Sequence, residues 1–318
     1  MNKLDKHMEK PIISIICNTY NHEKYIGQAL DSFLMQKVNV PFEVLVHDDA
    51  STDTTQDIIR SYEECYSDIV KPILQKENHA SQGYSITADI QIPRAQGKYI
   101  AFCEGDDYWT DENKLQIQYD FMEKHPEYSI CCHAYNMVDK EGNLIEERRD
   151  FPEDCVVPIE RLIGNQLLVP HFATMMVRRE LLSGLGRSFL EAHCSDMIIR
   201  LYCAAQKPIF YLNCDMSCYR RFTEGSWTVR VGQNKKEFLE HRKRLVGFLK
   251  KYNEYTAFRY SEAIEREIEN RQFEIDLYEG DYCAAKKNRC FEKASKKRKI
   301  GILFGCLFPG IMNKIRRI

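Results

Sequence analysis

Three acidic side chains lie within four positions of the stretch FCEGDDYWTDENKL, residues 102–115. Glu104, Asp106 and Asp107 directly follow an apolar run and precede Trp109. Like charges this close together repel each other, so a solvated loop tolerates the arrangement, whereas a site that holds a cation requires it. Oxygen ligands suit Mg²⁺ or Mn²⁺ better than zinc. The stretch is therefore a candidate site for a divalent cation.

Polar residues also follow two other predicted strands. The apolar runs IISIIC and FEVLVH are rich in β-branched residues and predict buried parallel strands, and KYIAFC before the acids is a further predicted strand that follows the turn residue Gly97. Asn18, Thr19 and Tyr20 follow the first run, and Asp48 and Asp49 follow the second. In open α/β sheets, ligands bind outside the carboxyl ends of the strands. Together with the acids after KYIAFC, these residues favour one binding site at that edge.

Helical patterns alternate with the predicted strands. Apolar residues recur at helical spacing from Tyr25 to Leu34, and Ser51 and Thr52 offer N-caps to a second helix after FEVLVH. This order predicts a doubly wound α/β domain. Further on, the stretch LLVPHFATMMVRRELL, residues 167–182, is predicted as a strand. Beyond residue 231 the composition changes to Lys, Glu and Arg with helical periodicity, which predicts a mainly α-helical extension.

Composition argues against several classes of protein. With 318 residues, 44% hydrophobic and 29% charged, the chain has the composition of an ordinary globular protein. Its formal net charge of −2 gives no general case for nucleic-acid binding. The start MNKLDKHMEKP does not resemble a signal peptide, and no apolar run reaches the roughly 18 residues that cross a bilayer. The 13 cysteines include no CxxC pair and predict reduced thiols in a cytoplasmic protein.

Three stretches within roughly the first 120 residues resemble the motifs of family 2 glycosyltransferases, which have the GT-A fold. They are IISIICNTYNHEKYIGQALDSFLMQ, VLVHDDASTDTT and GKYIAFCEGDDYWTDENKLQIQ, in the family's order and spacing. The resemblance weakens towards YRRFTEGSW, near residue 227, and does not cover the C-terminal tail. It implies a Rossmann-like GT-A domain at 1–230, with a nucleotide-sugar half at about 1–125 and an acceptor half at 126–230. A helical extension at 231–318 would follow.

The resemblance implies a nucleotide-sugar donor, taken here as a UDP-sugar. In such enzymes the residues after the first strand and an Asp after the second hold the base and ribose. Here these are Asn18, Thr19, Tyr20 and Asp49. A carboxylate accepts a hydrogen bond from the imide N–H of uracil, and an aromatic ring stacks on the base. The alternative for Asp49 is a turn or helix-capping residue.

The family's acidic motif is Asp-x-Asp-Asp, and this chain has Glu104-Gly105-Asp106-Asp107 in its place. By resemblance, Glu104, Asp106 and Asp107 would hold Mn²⁺ or Mg²⁺ and so offset the negative charge of the diphosphate. The sequence leaves open which of Asp106 and Asp107 binds the metal and which the ribose. Asp106 is therefore a candidate for both the metal and the donor.

Asp196 is the candidate catalytic base. The family commonly has Glu-Asp at the start of a helix that faces the acceptor, and Ser195-Asp196 begins the predicted helix SDMIIRLYCAAQ. The carboxylate would take the proton of an acceptor hydroxyl while that oxygen attacks the anomeric carbon from the face opposite the diphosphate. One such displacement inverts the anomeric configuration. The alternative is an Asp that is favoured only by the helix dipole.

The motif YRRFTEGSW carries the weakest part of the resemblance. Relatives often have Tyr-Arg-x-His, whose His touches the metal or the diphosphate, and Phe222 stands at that place here. Arg220 or Arg221 is the remaining candidate for the diphosphate, because a guanidinium matches phosphate oxygens well.

The leading interpretation is a metal-dependent, inverting glycosyltransferase of the hexosyltransferase type. Its acceptor would be a glycan or a lipid-linked sugar in bacterial surface-polysaccharide biosynthesis. A nucleotidyltransferase is the second candidate, but it requires a glycine-rich, basic phosphate loop, and CNTYNHEKY after the first strand has none. A phospho-receiver requires paired acids after its first strand, and this chain has Asn18 and Thr19 there, which argues against that class. A degenerate sugar- or nucleotide-binding module would be expected to lack Asp106, Asp107 or Asp196, and all three are present.

The tail KKRKIGILFGCLFPGIMNKIRRI predicts contact with a membrane surface. Four cations at 296–299 precede an apolar stretch at 300–311, and further cations follow it. The stretch is too short to span a bilayer, and Pro309 weakens a continuous helix. Cations on both sides of an apolar run suit anionic lipid. Residues 296–318 would thus bring a cytoplasmic enzyme to the inner face of the cell membrane; the alternative is a helix packed on the enzyme itself.

Overall fold

The computed structural model describes residues 10–164, 170–185, 195–221, 223 and 234–309. The chain forms two compact units. The first comprises Met1–Leu162, Leu167–Gly186 and Cys194–Ser226, and the second comprises Ile163–Gln166, Arg187–His193 and Trp227–Ile318. The domain boundaries at residues 125 and 230 remain predictions.

The first unit is built on a mixed β-sheet. In chain order its strands are β1 (Ile13–Thr19), β2 (Phe42–Asp48), β3 (Val70–Leu74), β4 (Tyr99–Phe102), β5 (Tyr108–Trp109), β6 (Ile130–Val138), β7 (Leu144–Arg148), β8 (Cys155–Val156), β9 (Met176–Arg178) and β10 (Ile209–Arg220). Among the described residues the order is β3-β2-β1-β4-β9-β6-β10-β5, with β7 beside β6 and β8 beside β10. Strands β1 to β4 run parallel, as the alternating pattern predicts. Strand β9 is antiparallel to both β4 and β6.

Helices separate the parallel strands and make up the C-terminal region. They are α1 (Ile26–Leu34), α2 (Thr55–Cys65), α3 (Ile92–Arg94), α4 (Lys114–Lys124), α5 (Ile159–Ile163), α6 (Ser195–Ala204), α7 (Lys235–Tyr255), α8 (Ser261–Glu279), α9 (Tyr282–Lys287), α10 (Cys290–Lys293) and α11 (Lys296–Leu307). Short 3₁₀ turns lie at Ala80–Gln82, Phe172–Thr174 and Arg179–Leu182, and a π turn lies at Ile86–Gln91. The α/β class and the helical C-terminal region agree with the sequence-based prediction.

The core of the first unit explains why α1 forms where it does. Its apolar residues recur every three or four positions, and Ile26, Leu30 and Phe33 are fully buried against the sheet. The ring of Phe33 meets Trp109 edge to face, with 4.8 Å between ring centroids. Trp109 is itself buried and donates Nε1–H to the carbonyl of Ala173 at 3.0 Å. Trp109 therefore stabilises the core beneath the acidic loop.

The stretch predicted as one strand at 167–182 is a short strand between two turns. Among the described residues of this stretch, 170–182, only Met176–Arg178 forms a strand, with 3₁₀ turns at Phe172–Thr174 and Arg179–Leu182. His171 caps the first turn, since its Nδ1 accepts the N–H of Ala173 at 3.3 Å. The buried apolar residues of 170–182 lie in turns as well as in β9, so their pattern predicts a strand longer than the one that forms.

The parallel register places the carboxyl ends of three strands at one edge. Thr19 at the end of β1 is level with Asp48 at the end of β2, and Ile16 of β1 is level with Phe102 at the end of β4. The chain after β4 then continues alongside the last residues of β1, because the N–H of Gly105 donates to the carbonyl of Asn18 at 2.9 Å. The three polar clusters predicted from the sequence thus meet at this edge.

In the second unit, α7 and α8 run antiparallel. Phe238 stacks on Tyr278, and Lys243 pairs with Glu279, while Arg242 pairs with Glu274. A small apolar cluster joins α8 to α9 and α11; its members are Phe273, Leu277, Tyr282, Ala285 and Ile302. None of the described helices is both long enough and apolar enough to cross a membrane.

Candidate active site

The acidic loop after β4 is held against the end of β1. The N–H of Asp107 donates to the carbonyl of Glu104 at 3.1 Å, and Gly105 lies directly on Thr19. A Cβ on residue 105 would come within 2.6 Å of Thr19 Oγ1, closer than real Cβ atoms approach. Glycine is therefore required here for close packing, which fixes the acids that flank it.

The three predicted metal ligands form a cluster that is short of positive charge. Burial, reinforced by the charges of Asp106 and Asp196, raises the pKa of Glu104 to about 8. Burial and the charge of Asp106 also raise the pKa of Asp107 well above its usual range, although a bond from the N–H of Arg220 opposes the rise. Asp107 Oδ2 is buried and, among the described residues, has no hydrogen-bond partner. These residues fit a divalent cation, since a cation would relieve the repulsion and engage the open carboxylate oxygen.

Two further residues contact Asp106, and the sequence patterns did not single them out. Thr223 Oγ1 donates to Asp106 Oδ2 at 2.9 Å, and His22 Nε2 lies 3.9 Å from the same oxygen. His22 lies in the loop after β1, only two residues beyond Tyr20, and this position was the only feature of the sequence that could have indicated that His22 belongs to the site. Phe222, the residue at the family's histidine position, lies outside the described residues.

His171 lies beside Asp107, with Nδ1 3.9 Å from Asp107 Oδ2. Burial lowers the pKa of His171 to about 4 in spite of the nearby charges of Asp196 and Asp106, so the imidazole is neutral at pH 7. Because Nδ1 accepts the N–H of Ala173, the proton of the neutral ring lies on Nε2. The ring packs on Tyr219 at 4.3 Å between centroids. His171 and Tyr219 therefore form an aromatic surface next to the acids.

Arg220, predicted to bind the diphosphate, supports the acidic loop. Its backbone N–H donates to Asp107 Oδ1 at 2.8 Å, and its Nε–H donates to the carbonyl of Asp106 at 3.0 Å. The guanidinium lies over the rings of Tyr25 and Tyr108. Its remaining bonds go to protein oxygens of Gln28, Asp139 and Lys140. Arg220 thus positions the acids in this structure, and direct contact with a diphosphate stays a prediction.

The three residues after β1 differ in how far they are available to a ligand. Asn18 is engaged, since its side chain donates to Thr87 Oγ1 at 2.9 Å and accepts from Gln91 at 3.3 Å. Thr19 is buried, and its hydroxyl has no hydrogen-bond partner among the described residues. Tyr20 is 40% exposed. An exposed aromatic ring at a binding edge is suited to stacking on a nucleobase.

Asp49 is buried at the end of β2 and stabilises the turn after β3. Its two carboxylate oxygens accept the backbone N–H groups of His79, at 2.8 Å, and Ala80, at 3.0 Å. This is the turn-capping role considered as the alternative from the sequence. Each carboxylate oxygen keeps a second lone pair, so a contact with the base is compatible with these bonds and stays a prediction.

Asp196 lies in the first turn of α6 and accepts the N–H of Met197 at 2.6 Å. Its charge acts on both Glu104 and His171, which places the carboxylate on the side of the acidic cluster. A residue nearly 90 positions along the chain is thus brought to the acids of the β4 loop. The site therefore combines a candidate cation cluster with a separate carboxylate.

Comparison with known proteins places this arrangement in a family. The model of Glycosyl transferase family 2 matches residues 14–186, a little over half of the chain, and this match contains the strands β1 to β4 and the acidic loop. An uncharacterized protein of Mycobacterium tuberculosis is 39% identical over 154 residues, which cover 46% of this chain and 43% of that protein. The chain thus spans less than half the length of this relative.

A second relative is a Bacillus subtilis protein, TuaG, whose provisional name is teichuronic acid biosynthesis glycosyltransferase. It is 29% identical over 195 residues, covering 57% of this chain and 74% of the relative. An uncharacterized glycosyltransferase of Haemophilus influenzae is 34% identical over 179 residues, covering 54% of this chain and 64% of that protein.

Solved structures share the fold at low sequence identity. S. aureus TarS 1-349, solved in complex with UDP-GlcNAc, has a TM-score of 0.60 at 20% identity and covers 92% of this chain and 79% of that one. The mannosyltransferase PcManGT from Pyrobaculum calidifontis, solved with GDP-Man and Mn²⁺, has a TM-score of 0.55 at 16% identity, covering 94% and 80%. These similarities agree with the predicted GT-A fold. On the family match, the chain belongs to glycosyl transferase family 2.

Proposed function

We propose that this protein transfers a sugar from a nucleotide-sugar donor to an acceptor hydroxyl, with inversion at the anomeric carbon. The observation that carries the proposal is the acidic cluster at the carboxyl edge of β4, which is partly desolvated, crowded and short of positive charge. Among the described residues, Arg220 offsets this charge only in part, whereas a divalent cation bound together with the diphosphate would balance it. Family membership supports the same activity.

Glu104, Asp106 and Asp107 are the proposed ligands of Mn²⁺ or Mg²⁺. Such an ion would stabilise the negative charge that develops on a departing diphosphate. Thr223 fixes one oxygen of Asp106, and the N–H of Arg220 fixes one oxygen of Asp107, so each carboxylate presents its second oxygen in a defined direction. The protein thus holds the ligands in place before the donor binds.

The donor nucleoside is proposed to lie along the ends of β1 and β2. Tyr20 would stack on the base, Asp49 would accept from it, and Asn18 and Thr19 would line the pocket between them. TarS was solved with UDP-GlcNAc, which supports a uridine donor, whereas PcManGT was solved with GDP-Man. Both nucleotides therefore belong in the test.

Asp196 is proposed to act as the general base. Its carboxylate takes the proton of the acceptor hydroxyl, the oxygen forms a bond to the anomeric carbon, and the bond to the diphosphate breaks on the opposite face. His171 lies beside the acids and packs on Tyr219, so an acceptor sugar ring would pack on these two rings. We propose a glycan or lipid-linked acceptor in polysaccharide biosynthesis, which the name of TuaG supports.

The donor is tested by thermal shift against a panel of UDP- and GDP-sugars, each with and without Mn²⁺. A ligand that binds only the folded protein raises the apparent melting temperature by mass action. We expect UDP-sugars to raise it with Mn²⁺ present and to have little effect in EDTA. A panel without any Mn²⁺-dependent shift would contradict the proposed donor class.

The face of α11 supports the predicted membrane contact. Five apolar side chains recur at spacings of three and one along this helix and are exposed; they are Ile300, Leu303, Phe304, Leu307 and Phe308. The opposite face is packed, with Ile302 buried and Gly305 against the ring of Tyr282. An apolar stripe beside the cations at 296–299 suits the surface of an anionic bilayer. The basic end of the tail, 310–318, lies outside the described residues.

We expect the double substitution Ile300→Glu and Leu307→Glu to lower binding to anionic vesicles about tenfold or more, because both side chains are exposed on the apolar stripe. The measurement is sedimentation with phosphatidylserine–phosphatidylcholine vesicles at low and high salt. Leu144→Glu, at an exposed leucine on β7, is the matched control and should leave binding unchanged. Equal pelleting of wild type and double variant, or binding insensitive to salt, would contradict the membrane contact.

A further inference from the structure

A second group of potential metal ligands lies at the same edge of the sheet, beyond the acidic cluster. His47 is on β2, Asp49 follows it, and His79 lies in the turn after β3. One imidazole nitrogen of each histidine and a carboxylate oxygen of Asp49 all lie within 4.8 Å of one another. Strand β2 is two positions from β4 in the sheet, roughly 10 Å, so this group is separate from the acids after β4.

Each histidine of this group has one buried ring nitrogen, Nδ1, that is open. His47 is fully buried, yet its Nδ1 has no hydrogen-bond partner among the described residues, and the same holds for Nδ1 of His79. Leaving such an atom without a hydrogen-bond partner destabilises the folded protein, because the buried nitrogen has lost its bond to water. Two histidines that each have an unpaired buried nitrogen, and that each bring one ring nitrogen close to the same carboxylate, indicate a site whose partner is a bound species.

The surrounding groups orient the three side chains. The backbone N–H groups of His79 and Ala80 hold the two oxygens of Asp49, and Gln75 lies 3.3 Å from Nε2 of His47, leaving Nδ1 open. The ring of His79 packs on Tyr84 at 5.1 Å between centroids. Hydrogen bonds and packing behind the ligands are the features that fix rings and carboxylates in metal sites.

We propose that His47, Asp49 and His79 form a site for a transition-metal ion of the zinc type. Two imidazoles and one carboxylate, with a fourth position for water, are a known zinc set, whereas Mg²⁺ prefers oxygen ligands alone. Zinc–ligand distances of about 2.0–2.2 Å place tetrahedral ligands roughly 3.3 Å apart, so the ligand atoms, which lie within 4.8 Å of one another, need to approach by at most about 1.5 Å around the ion. The two clusters would thus select different metals.

The consequence for function rests on the proposed donor site. Asp49 is the residue proposed to accept from the base, so an ion held by Asp49 and the two histidines occupies the place of the base. Zinc bound here would exclude the nucleoside, while Mn²⁺ at the acids favours it. The site would make the enzyme sensitive to inhibition by zinc.

The test is calorimetric titration of metal-free protein with Zn²⁺, comparing wild type with His79→Ala. We expect the substitution to weaken Zn²⁺ binding about 100-fold, as loss of a ligand does. His125→Ala, which removes an exposed histidine remote in sequence, should bind Zn²⁺ as wild type does. The double variant Asp106→Asn and Asp107→Asn should also retain the Zn²⁺ site. Melting temperatures in EDTA establish that the variants are folded.

A second titration measures UDP binding with Mn²⁺, before and after Zn²⁺ is added. Zn²⁺ should weaken UDP binding in wild type and have little effect in His79→Ala. Equal Zn²⁺ affinity in wild type and His79→Ala, or its loss in the Asp106/Asp107 variant, would overturn the site. UDP binding that Zn²⁺ leaves unchanged would overturn the exclusion of the base. Absence of UDP binding altogether would count against the donor site, while the Zn²⁺ titration still reports on the metal site.

Discussion

Replacing Asp106 and Asp107 together by asparagine is expected to lower the rate of sugar transfer by roughly 10³-fold or more. The substitution keeps the shape of both side chains and removes two of the three negative charges that would hold the cation. The measurement is release of nucleoside diphosphate from the donor identified by the thermal-shift panel, at saturating Mn²⁺.

The same variant should remain folded. Burial and mutual repulsion raise the pKa values of Glu104 and Asp107, so these two side chains lower the stability of the metal-free protein at neutral pH, which lies above the ordinary pKa of a carboxyl group. Removing charge relieves that repulsion, and the melting temperature in EDTA is expected to equal or exceed that of wild type. Asp68→Asn, at an exposed aspartate after α2, is the matched control and should keep full activity. Wild-type turnover by the double variant would contradict the metal-site assignment.

Asp196→Asn is expected to reduce turnover about 10²- to 10⁴-fold while donor affinity stays unchanged. Asparagine keeps the size of the side chain and its place in the first turn of α6, but it cannot take a proton. Hydrolysis of the donor by water should fall less than transfer, since the donor and metal ligands are untouched.

The competing role for Asp196 is stabilisation of the helix N-terminus alone. That role is worth about 0.3–1 kcal/mol, so it predicts a small drop in melting temperature and normal kinetics. Measuring kcat, the donor Kd and the melting temperature of one preparation separates the two. Asp196→Glu, which restores a carboxylate, should recover part of the activity only if a base is needed. An Asp196→Asn enzyme with unchanged kcat would assign the residue to the helix end.

The first half of the fold was predictable because its signals are local. Strands β1, β2 and β4 are short apolar runs, and α1 shows helical spacing, so alternation alone gave a parallel sheet with polar residues at one edge. The length of strand β9 was overestimated, since the buried apolar residues of 170–182 lie in turns as well as in the strand. Burial can be inferred from a pattern, but the backbone conformation that achieves it depends on partners distant in sequence.

The site was predictable at the level of its acids and less so at the level of its partners. Glu104, Asp106 and Asp107 are close together in the sequence and could be found there. The contact of Thr223 with Asp106, and the place of His171 beside Asp107, depend on chain segments that the topology brings together. Arg220 illustrates the same limit. The sequence predicted that it binds the diphosphate, whereas its guanidinium donates hydrogen bonds to backbone carbonyls and to the side-chain amide of Gln28.

Calorimetric titration of wild-type protein with UDP, in Mn²⁺ and in EDTA, measures the proposed donor site itself. If the carboxyl edge of β1, β2 and β4 binds a nucleoside diphosphate together with a divalent cation, binding in Mn²⁺ should be saturable at one site per chain. We expect the affinity to fall about 100-fold or more in EDTA and in the Asp106/Asp107 variant. UDP affinity that is the same with and without metal, or the same in wild type and variant, would contradict the joint binding of metal and nucleotide.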